Sequence, residues 1–181
     1  MTIDLHKSVF LTLYLLLVFT YYLLFFRKAK NKNFNNFLFS AMFIFYILCL
    51  IKLTILPMRI TPIEGMTFDF SYYYQIVPFK TINQVIKYNT WKIQLIGNVL
   101  LLLPLPIFIG FIKKNFSFTN LILIGFIASI SIECIQLFID ILTRFPNKLA
   151  DIDDIILNLI GSLIGAILIK IFNNKYLKNT Q

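Results

Sequence analysis

The chain has 181 residues, of which 59% are hydrophobic and 14% are charged, and its mean hydropathy is +0.80. Soluble domains carry about 25% charged residues, so this composition excludes an ordinary water-soluble protein. The net charge of +9 requires no nucleic-acid partner, because anionic membrane lipid attracts basic residues that lie beside a membrane.

Apolar runs of membrane-spanning length divide the chain. A hydrocarbon core of roughly 30 Å needs about 20 apolar residues in a helix. The sequence contains five such runs, which are Ser8 to Phe26, Phe34 to Leu56, Ile93 to Ile112, Phe118 to Leu142 and Ile155 to Phe172. It therefore predicts an all-α fold, a polytopic membrane helix bundle of five transmembrane helices, with residues 1–181 forming a single domain.

Basic residues orient these helices. Cytoplasmic loops carry the Lys/Arg excess, so the run Arg27 to Lys32, which includes Lys30 and Lys32, is expected inside, as are Lys113 and Lys114. The prediction is a multi-pass cell-membrane protein with its N-terminus outside and its C-terminus cytoplasmic. A further basic residue, Lys52, falls within the second span.

The fourth span carries polar residues on one face. Ser129, Glu133, Gln136 and Asp140 are spaced by four, three and four residues, which aligns them along an α-helix. An acidic residue at the centre of a span costs roughly 2.5 to 3.5 kcal/mol, so it normally faces a bundle interior or a water-filled cavity. We expect this face to point inward.

The fifth span carries a second stripe, formed by Asp151, Asp154, Asn158, Gly161 and Gly165. The two glycines form a small-xxx-small pattern, which lets the backbones of two helices approach closely. Asp153 lies off this stripe and is expected to cap the helix, a role that Asp151 could share.

The third span adds Gln94 and Asn98, which are four residues apart on one face. Pro104 and Pro106 follow, and each removes a backbone donor, so a bend is expected unless neighbouring groups compensate. Cys49 and Cys134 lie inside spans, where we expect them to act as small hydrophobes and not as a disulfide.

Taken together, the strings "IVPFKTI", "IGNVLLLLPLP", "SIECIQLF" and "TRFPNKLADIDDIILNLIGSLIG" resemble the VanZ-like family of small multi-span proteins. The resemblance covers residues 76–169. The matching positions are Pro78, Phe79, Asn98, Pro104, Glu133, Gln136, Arg144, Asp151, Asp154, Asn158 and Gly161. One departure is the displaced glycine, since the family often has Pro-Leu-Gly where this chain has "PLPIFIG" ending at Gly110.

The resemblance implies a bacterial cell-envelope protein associated with resistance to glycopeptide antibiotics of the teicoplanin type. The polar residues predict an outward-facing intramembrane cleft, walled by the aromatic run Tyr72 to Tyr74, that binds an amphiphilic ligand. Expected partners are membrane lipid and either a lipoglycopeptide antibiotic or a lipid-linked cell-wall precursor. The predicted ligand-binding residues are Asn98, Glu133, Gln136, Arg144, Asp151, Asp154 and Asn158.

Two other interpretations stay open. The sole histidine, His6, precedes the first span, so the spans lack the histidine that zinc proteases and Ser/His enzymes need. An enzyme acting on a lipid-linked substrate would use the carboxylate pair Glu133 and Asp154 as acid and base. No cofactor is predicted, although the same oxygens would suit Ca²⁺ or Mg²⁺ better than zinc. The third interpretation is a structural polar network without a ligand.

Overall fold

The computed structural model describes residues 2–28, 33–60, 69–88, 91–113 and 115–178, with backbone alone for 91–93 and 175–178. Lys30, Lys32 and Lys114, which entered the orientation prediction, lie outside the described residues. The chain forms two compact units, Met1–Thr61 and Pro62–Gln181. The single-domain prediction and the predicted orientation in the membrane both stay predictions.

The first unit is a pair of apolar helices. Strand β1 (Thr2–Ile3) precedes helix α1 (Lys7–Tyr21), which continues as a π-helical turn (Tyr22–Phe26). Helix α2 (Phe34–Ile55) leads into strand β2 (Met58–Arg59), which pairs antiparallel with β1. Phe45 of α2 packs edge-on against Phe10 and Tyr14 of α1, with ring centroids 5.8 and 5.4 Å apart.

The second unit is built around its last helix. A 3-10 turn (Phe70–Tyr72), strand β3 (Tyr74–Gln75) and the short helix α3 (Lys80–Lys87) lead into helices α4 (Trp91–Leu102) and α5 (Pro104–Ile112). Helix α6 (Phe118–Thr143), strand β4 (Ala150–Asp151) and helix α7 (Ile152–Lys178) follow. Helix α7 packs against α4, α5 and α6, and β3 pairs parallel with β4.

The third predicted span is divided at Leu103, where α4 ends and α5 begins. Leu103 keeps a helical conformation (φ −56°, ψ −43°), but Pro104 and Pro106 have no backbone N–H to continue the hydrogen-bond ladder. The division agrees with the interruption expected from the two prolines.

Glycines of α7 allow the close helix contacts that the sequence predicted. A Cβ on Gly161 would overlap the carbonyl oxygen of Val99, and one on Gly165 would overlap that of Leu103. Helix α6 approaches in the same way, because a Cβ on Gly125 would overlap the Ser162 hydroxyl. The small-xxx-small stripe therefore docks α7 against α4 and the start of α5, and the docking prediction is confirmed.

Within the described residues, five helical segments are long and apolar enough to cross a membrane: Lys7–Phe26, Phe34–Ile55, Gln94–Ile112, Phe118–Thr143 and Ile152–Asn174. The predicted all-α membrane fold is confirmed. The largest difference from the predicted spans is at the start of the fifth, which lies at Ile152 and not at Ile155. Asp153 and Asp154 therefore lie in the first turn of α7.

Candidate functional site

The polar face of α6 is turned inward. Ser129, Glu133, Gln136 and Asp140 are all buried, as their helical spacing predicted. Helix α7 presents its own stripe, of which Asp151 and Asn158 are buried and Asp154 is half-buried. Both helices therefore contribute polar side chains to the interior of the second unit.

Glu133 and Asp151 join α6 to the start of α7. Glu133 Oε2 accepts a 2.9 Å hydrogen bond from the backbone N–H of Asp151. Asp151 Oδ1 accepts the Asp153 N–H at 2.9 Å, so Asp151 does cap α7. Its other oxygen, Oδ2, accepts the hydroxyl of Thr81 from α3. The Asp151 carboxylate thus has partners on both sides of the helix start.

Asp154 and Asn98 join α7 to α4. The side-chain amide of Asn98 donates to Asp154 Oδ1, across 56 residues of sequence. Both side chains are half-buried, in contrast to Glu133, which is 6% exposed. Gln94, one turn before Asn98, is exposed. The Asn98–Asp154 pair is therefore the less buried part of this site.

Glu133, Asp151 and Asp154, here called the carboxylate cluster, are close enough for their charges to interact. Asp153 adds a further like charge beside Asp154. The donors to the cluster are neutral groups: the Asp151 N–H to Glu133, the Thr81 hydroxyl to Asp151 and the Asn98 amide to Asp154. Like charges in a low-dielectric surrounding repel each other, so the ionised cluster is an unfavourable arrangement without a cation.

Asp153 has a role that the sequence interpretation missed. It is fully buried, and its Oδ1 and Oδ2 accept the backbone N–H groups of Phe79 at 2.6 Å and Ile82 at 3.0 Å. Phe79 is the N-cap of α3, adopts a left-handed conformation (φ 63°) and supplies no side-chain cap. Asp153 therefore caps α3 from a distance, and the expectation that it caps its own helix is corrected.

Gln75 is a second residue that the sequence interpretation missed. Its side chain is 8% exposed, and Nε2 lies 3.4 Å from Asp151 Oδ1 and 2.7 Å from the Val77 carbonyl oxygen. The register of β3 and β4 places Gln75 opposite Asp151. No periodic pattern signals a strand of two residues, so the sequence offered no sign of this contact.

Arg144 ends helix α6. It is the C-cap of α6 in a left-handed conformation (φ 49°), and its side chain is exposed. No hydrogen bond or ion pair joins that side chain to another described residue. Its predicted role in ligand binding stays a prediction.

The turn after α6 is held by Asp140. Its Oδ1 accepts the backbone N–H groups of Asn147 at 2.9 Å and Lys148 at 3.4 Å, which reverses the chain after Thr143. Burial lowers the pKa of the Lys148 ammonium below its usual range, because desolvation disfavours the charged form. Asp140 is therefore a structural acid of this turn and lies outside the cluster.

Buried side-chain oxygens on both α6 and α7 have no hydrogen-bond partner within the described part of the chain. They include Ser129 Oγ and Asp140 Oδ2 of α6, and Asn158 Oδ1 and Ser162 Oγ of α7. An unpaired polar atom in a buried site costs about 1 to 3 kcal/mol. These polar atoms therefore lower the stability of the bundle relative to apolar side chains of the same size. Gln136, also predicted for the site, is 9% exposed on α6.

The aromatic run beside the cluster is only partly available to a ligand. Tyr73 is 2% exposed and its carbonyl oxygen accepts the Ala150 N–H, whereas Tyr72 and Tyr74 are exposed. The predicted cleft wall can therefore involve Tyr72 and Tyr74 but not the ring of Tyr73.

The family model for VanZ/LLP1 matches residues 43–173. The match covers more than half of the chain and includes every residue of the carboxylate cluster. The chain belongs to the VanZ/LLP1 family. Comparisons with curated proteins and with solved structures gave no match. The resemblance drawn from the sequence motifs is thus confirmed, and the protein is a VanZ-like multi-pass membrane protein.

A Ca²⁺ or Mg²⁺ ion at the VanZ-like site would need six or more oxygen ligands. Within the ranges that the structure describes, no group of three or more His, Cys, Asp or Glu side chains is arranged to hold a metal ion. A Ca²⁺ or Mg²⁺ ion at Glu133 and Asp154 would have to draw on amide or backbone oxygens as well. The site chemistry is that of carboxyl and amide groups that accept hydrogen bonds from the chain.

Proposed function

We propose that this VanZ-like protein binds the polar head of an amphiphilic cell-envelope ligand at the carboxylate cluster and thereby lowers susceptibility to teicoplanin-type glycopeptides. The observation that carries the proposal is the convergence of Glu133, Asp151 and Asp154, with neutral hydrogen-bond donors at Glu133 and Asp154. Ionisable groups inside a membrane are costly and normally serve a ligand or a transport path.

The charge of the cluster favours a ligand with a cationic group, such as an amine on the polar head. An ammonium ion would offset the repulsion between the carboxylates and would form charge-assisted hydrogen bonds with them. Asp154 and Asn98 are half-buried, so they meet the ligand first, while the buried Glu133 lies behind them. The apolar tail of the ligand would lie along the lipid-facing helices.

The enzyme alternative uses the same two side chains. Glu133 and Asp154 interact electrostatically across α6 and α7, as an acid and base pair would. The scaffold alternative is favoured by Asp151 and Asp153, whose oxygens accept hydrogen bonds from the chain itself. A test must therefore separate binding, catalysis and folding.

Amide substitutions separate function from folding. Glu133→Gln and Asp154→Asn keep an oxygen that can accept the hydrogen bonds from Asp151 N–H and from Asn98. Because those bonds are retained, we expect expression and melting temperature in detergent close to the unsubstituted protein. Teicoplanin susceptibility should nevertheless rise to that of cells lacking the protein, because the negative charge is removed.

The matched control is Asp69→Asn. Asp69 is an exposed acid whose Oδ1 accepts the Ser71 N–H, and an Asn would keep that bond. This variant should leave susceptibility unchanged. Well-folded Glu133→Gln and Asp154→Asn proteins with unaltered protection would remove the proposal, and loss of folding in both would favour the scaffold.

Direct titration of the purified protein with teicoplanin separates binding from catalysis. We expect saturable binding that Asp154→Asn weakens, with the antibiotic recovered at unchanged mass after incubation. A covalently altered product formed only by the protein with both carboxylates would support the enzyme alternative instead.

A further inference from the structure

Lys52 is a charged residue within a membrane-spanning helix of the first unit. Its Nζ donates a 3.0 Å hydrogen bond to the carbonyl oxygen of Leu5 and lies 5.6 Å from the centre of the Phe10 ring. Both partners are neutral. An ammonium group has three N–H donors, and the Leu5 carbonyl accepts one of them, so Lys52, in the last turn of α2, can donate to a second partner.

The chain itself supplies no anion for Lys52 among the described residues. The acid nearest in sequence to its partner Leu5 is Asp4, which is exposed and whose Oδ1 accepts the Leu5 N–H at 2.7 Å. Neither Lys52 nor Lys7 forms an ion pair within that part of the chain. The positive charge is therefore open to an external partner.

A cavity of about 270 Å³ adjoins this charge. It is lined by Lys7, Phe10, Cys49, Lys52 and Leu53, so two ammonium groups meet an otherwise apolar wall. Its volume lies just below the range of pockets for drug-sized ligands, which is about 300 to 1,000 Å³, and suits a small head group. The apolar side chains would meet the adjoining acyl chain.

The start of α1 strengthens the preference for an anion. Its N-cap, His6, forms no side-chain cap, and the first turn carries no acidic residue. The first backbone N–H groups of a helix lack internal partners and lie at the positive end of the helix dipole. Lys7 is the first residue of this helix, so the dipole and the two lysines act at the same end.

We infer that Lys7 and Lys52 hold the phosphate of an anionic phospholipid head group in this cavity, with Phe10 and Leu53 against its acyl chain. Arg59 lies at the same end of the unit, because β2 pairs with β1. The occupant is a membrane lipid and not a free anion, because the cavity wall is mainly apolar and the helices are lipid-facing. None of these residues belongs to the carboxylate cluster.

The test uses the full chain in nanodiscs of phosphatidylcholine containing a minor fraction of phosphatidylglycerol with identical acyl chains. Lipids retained by the protein are counted by native mass spectrometry. We expect selective retention of phosphatidylglycerol, weakened about tenfold by Lys52→Gln or Lys7→Gln, because each removes one charge-assisted contact to the phosphate. Retention of phosphatidylcholine should not change.

Lys28→Gln is the control, because Lys28 is an exposed lysine that follows the π-helical turn after α1 and lies outside the cavity. Lys7 is also exposed, so Lys7→Gln keeps the test valid if Lys52→Gln fails to fold. Equal phosphatidylglycerol retention by the Lys7→Gln and Lys28→Gln variants would overturn the inference. Displacement of the lipid by excess inorganic phosphate would overturn the assignment to a lipid.

Discussion

The backbone N–H of Phe79 donates a 2.6 Å hydrogen bond to Asp153 Oδ1, across 74 residues of sequence. The second oxygen of the same carboxylate accepts the Ile82 N–H, so Asp153 satisfies two unpaired donors at the start of α3. Phe79 sits in the left-handed region, which a bulky residue adopts only when its surroundings hold it there. Asp153 of α7 thus fixes the start of α3, whose Thr81 contacts the carboxylate cluster at Asp151.

Asp153→Asn should destabilise the protein more than an ordinary cap substitution, which costs about 1 kcal/mol. The Asn side chain has one oxygen, which can accept one of the two N–H groups, and its NH₂ group would face the other N–H. We therefore expect the free energy of unfolding to fall by roughly 2 to 3 kcal/mol. Melting in detergent measures the loss, and limited proteolysis should show faster cleavage at residues 76–88. The exposed Asp69→Asn variant is the control, and equal melting of the two would contradict the assigned role.

Gly161→Ala should separate α7 from α4. The added Cβ would overlap the backbone carbonyl of Val99, which has no side-chain freedom with which to yield. We expect the free energy of unfolding to fall by roughly 3 kcal/mol, which is the upper end of the range for overpacked cores. Gly97→Ala is the matched control, because a Cβ there meets nothing within 4 Å and alanine favours a helix. If both variants melt alike, the close contact of α7 with α4 is wrong.

The Asn98–Asp154 pair allows a charge exchange between helices. Asn98→Asp alone would place a second carboxylate against that of Asp154. We expect this change to lower the free energy of unfolding by about 1 to 3 kcal/mol. Adding Asp154→Asn restores an amide-to-carboxylate hydrogen bond and should recover the melting temperature. Protection against teicoplanin should not return, because the carboxylate has moved from α7 to α4. Recovery of both stability and protection in the double variant would favour the scaffold alternative.

Orientation can be tested by cysteine labelling in a background that carries Cys49→Ser and Cys134→Ser. Lys28 and Leu149 are both exposed, and the predicted orientation places Lys28 inside and Leu149 outside. An impermeant thiol reagent applied to intact cells should label the Leu149→Cys protein and spare the Lys28→Cys protein. The reverse pattern would invert the predicted orientation.

The amino-acid sequence alone determined the membrane class, the five spans and the inward faces of α6 and α7. These features depend on composition and on the 3.6-residue period of a helix, which brings Ser129, Glu133, Gln136 and Asp140 together within one segment. The pairing of glycines in α7 likewise follows from local spacing. These properties depend only on residues close together in the sequence, so the periodicity of the sequence is sufficient to predict them.

Tertiary structure decided which side chains meet. Glu133 receives the Asp151 N–H, Asn98 binds Asp154, and Gln75 contacts Asp151 only because the helices and the short β3–β4 pair bring distant residues together. Asp153 lies off the stripe by helical spacing, yet it is buried because the loop at Phe79 covers that side of α7. Arg144 is near the cluster in sequence but exposed, because the left-handed turn at the end of α6 fixes its direction. Spacing within one helix gives the direction of each side chain, and only the packing of several helices supplies its partner.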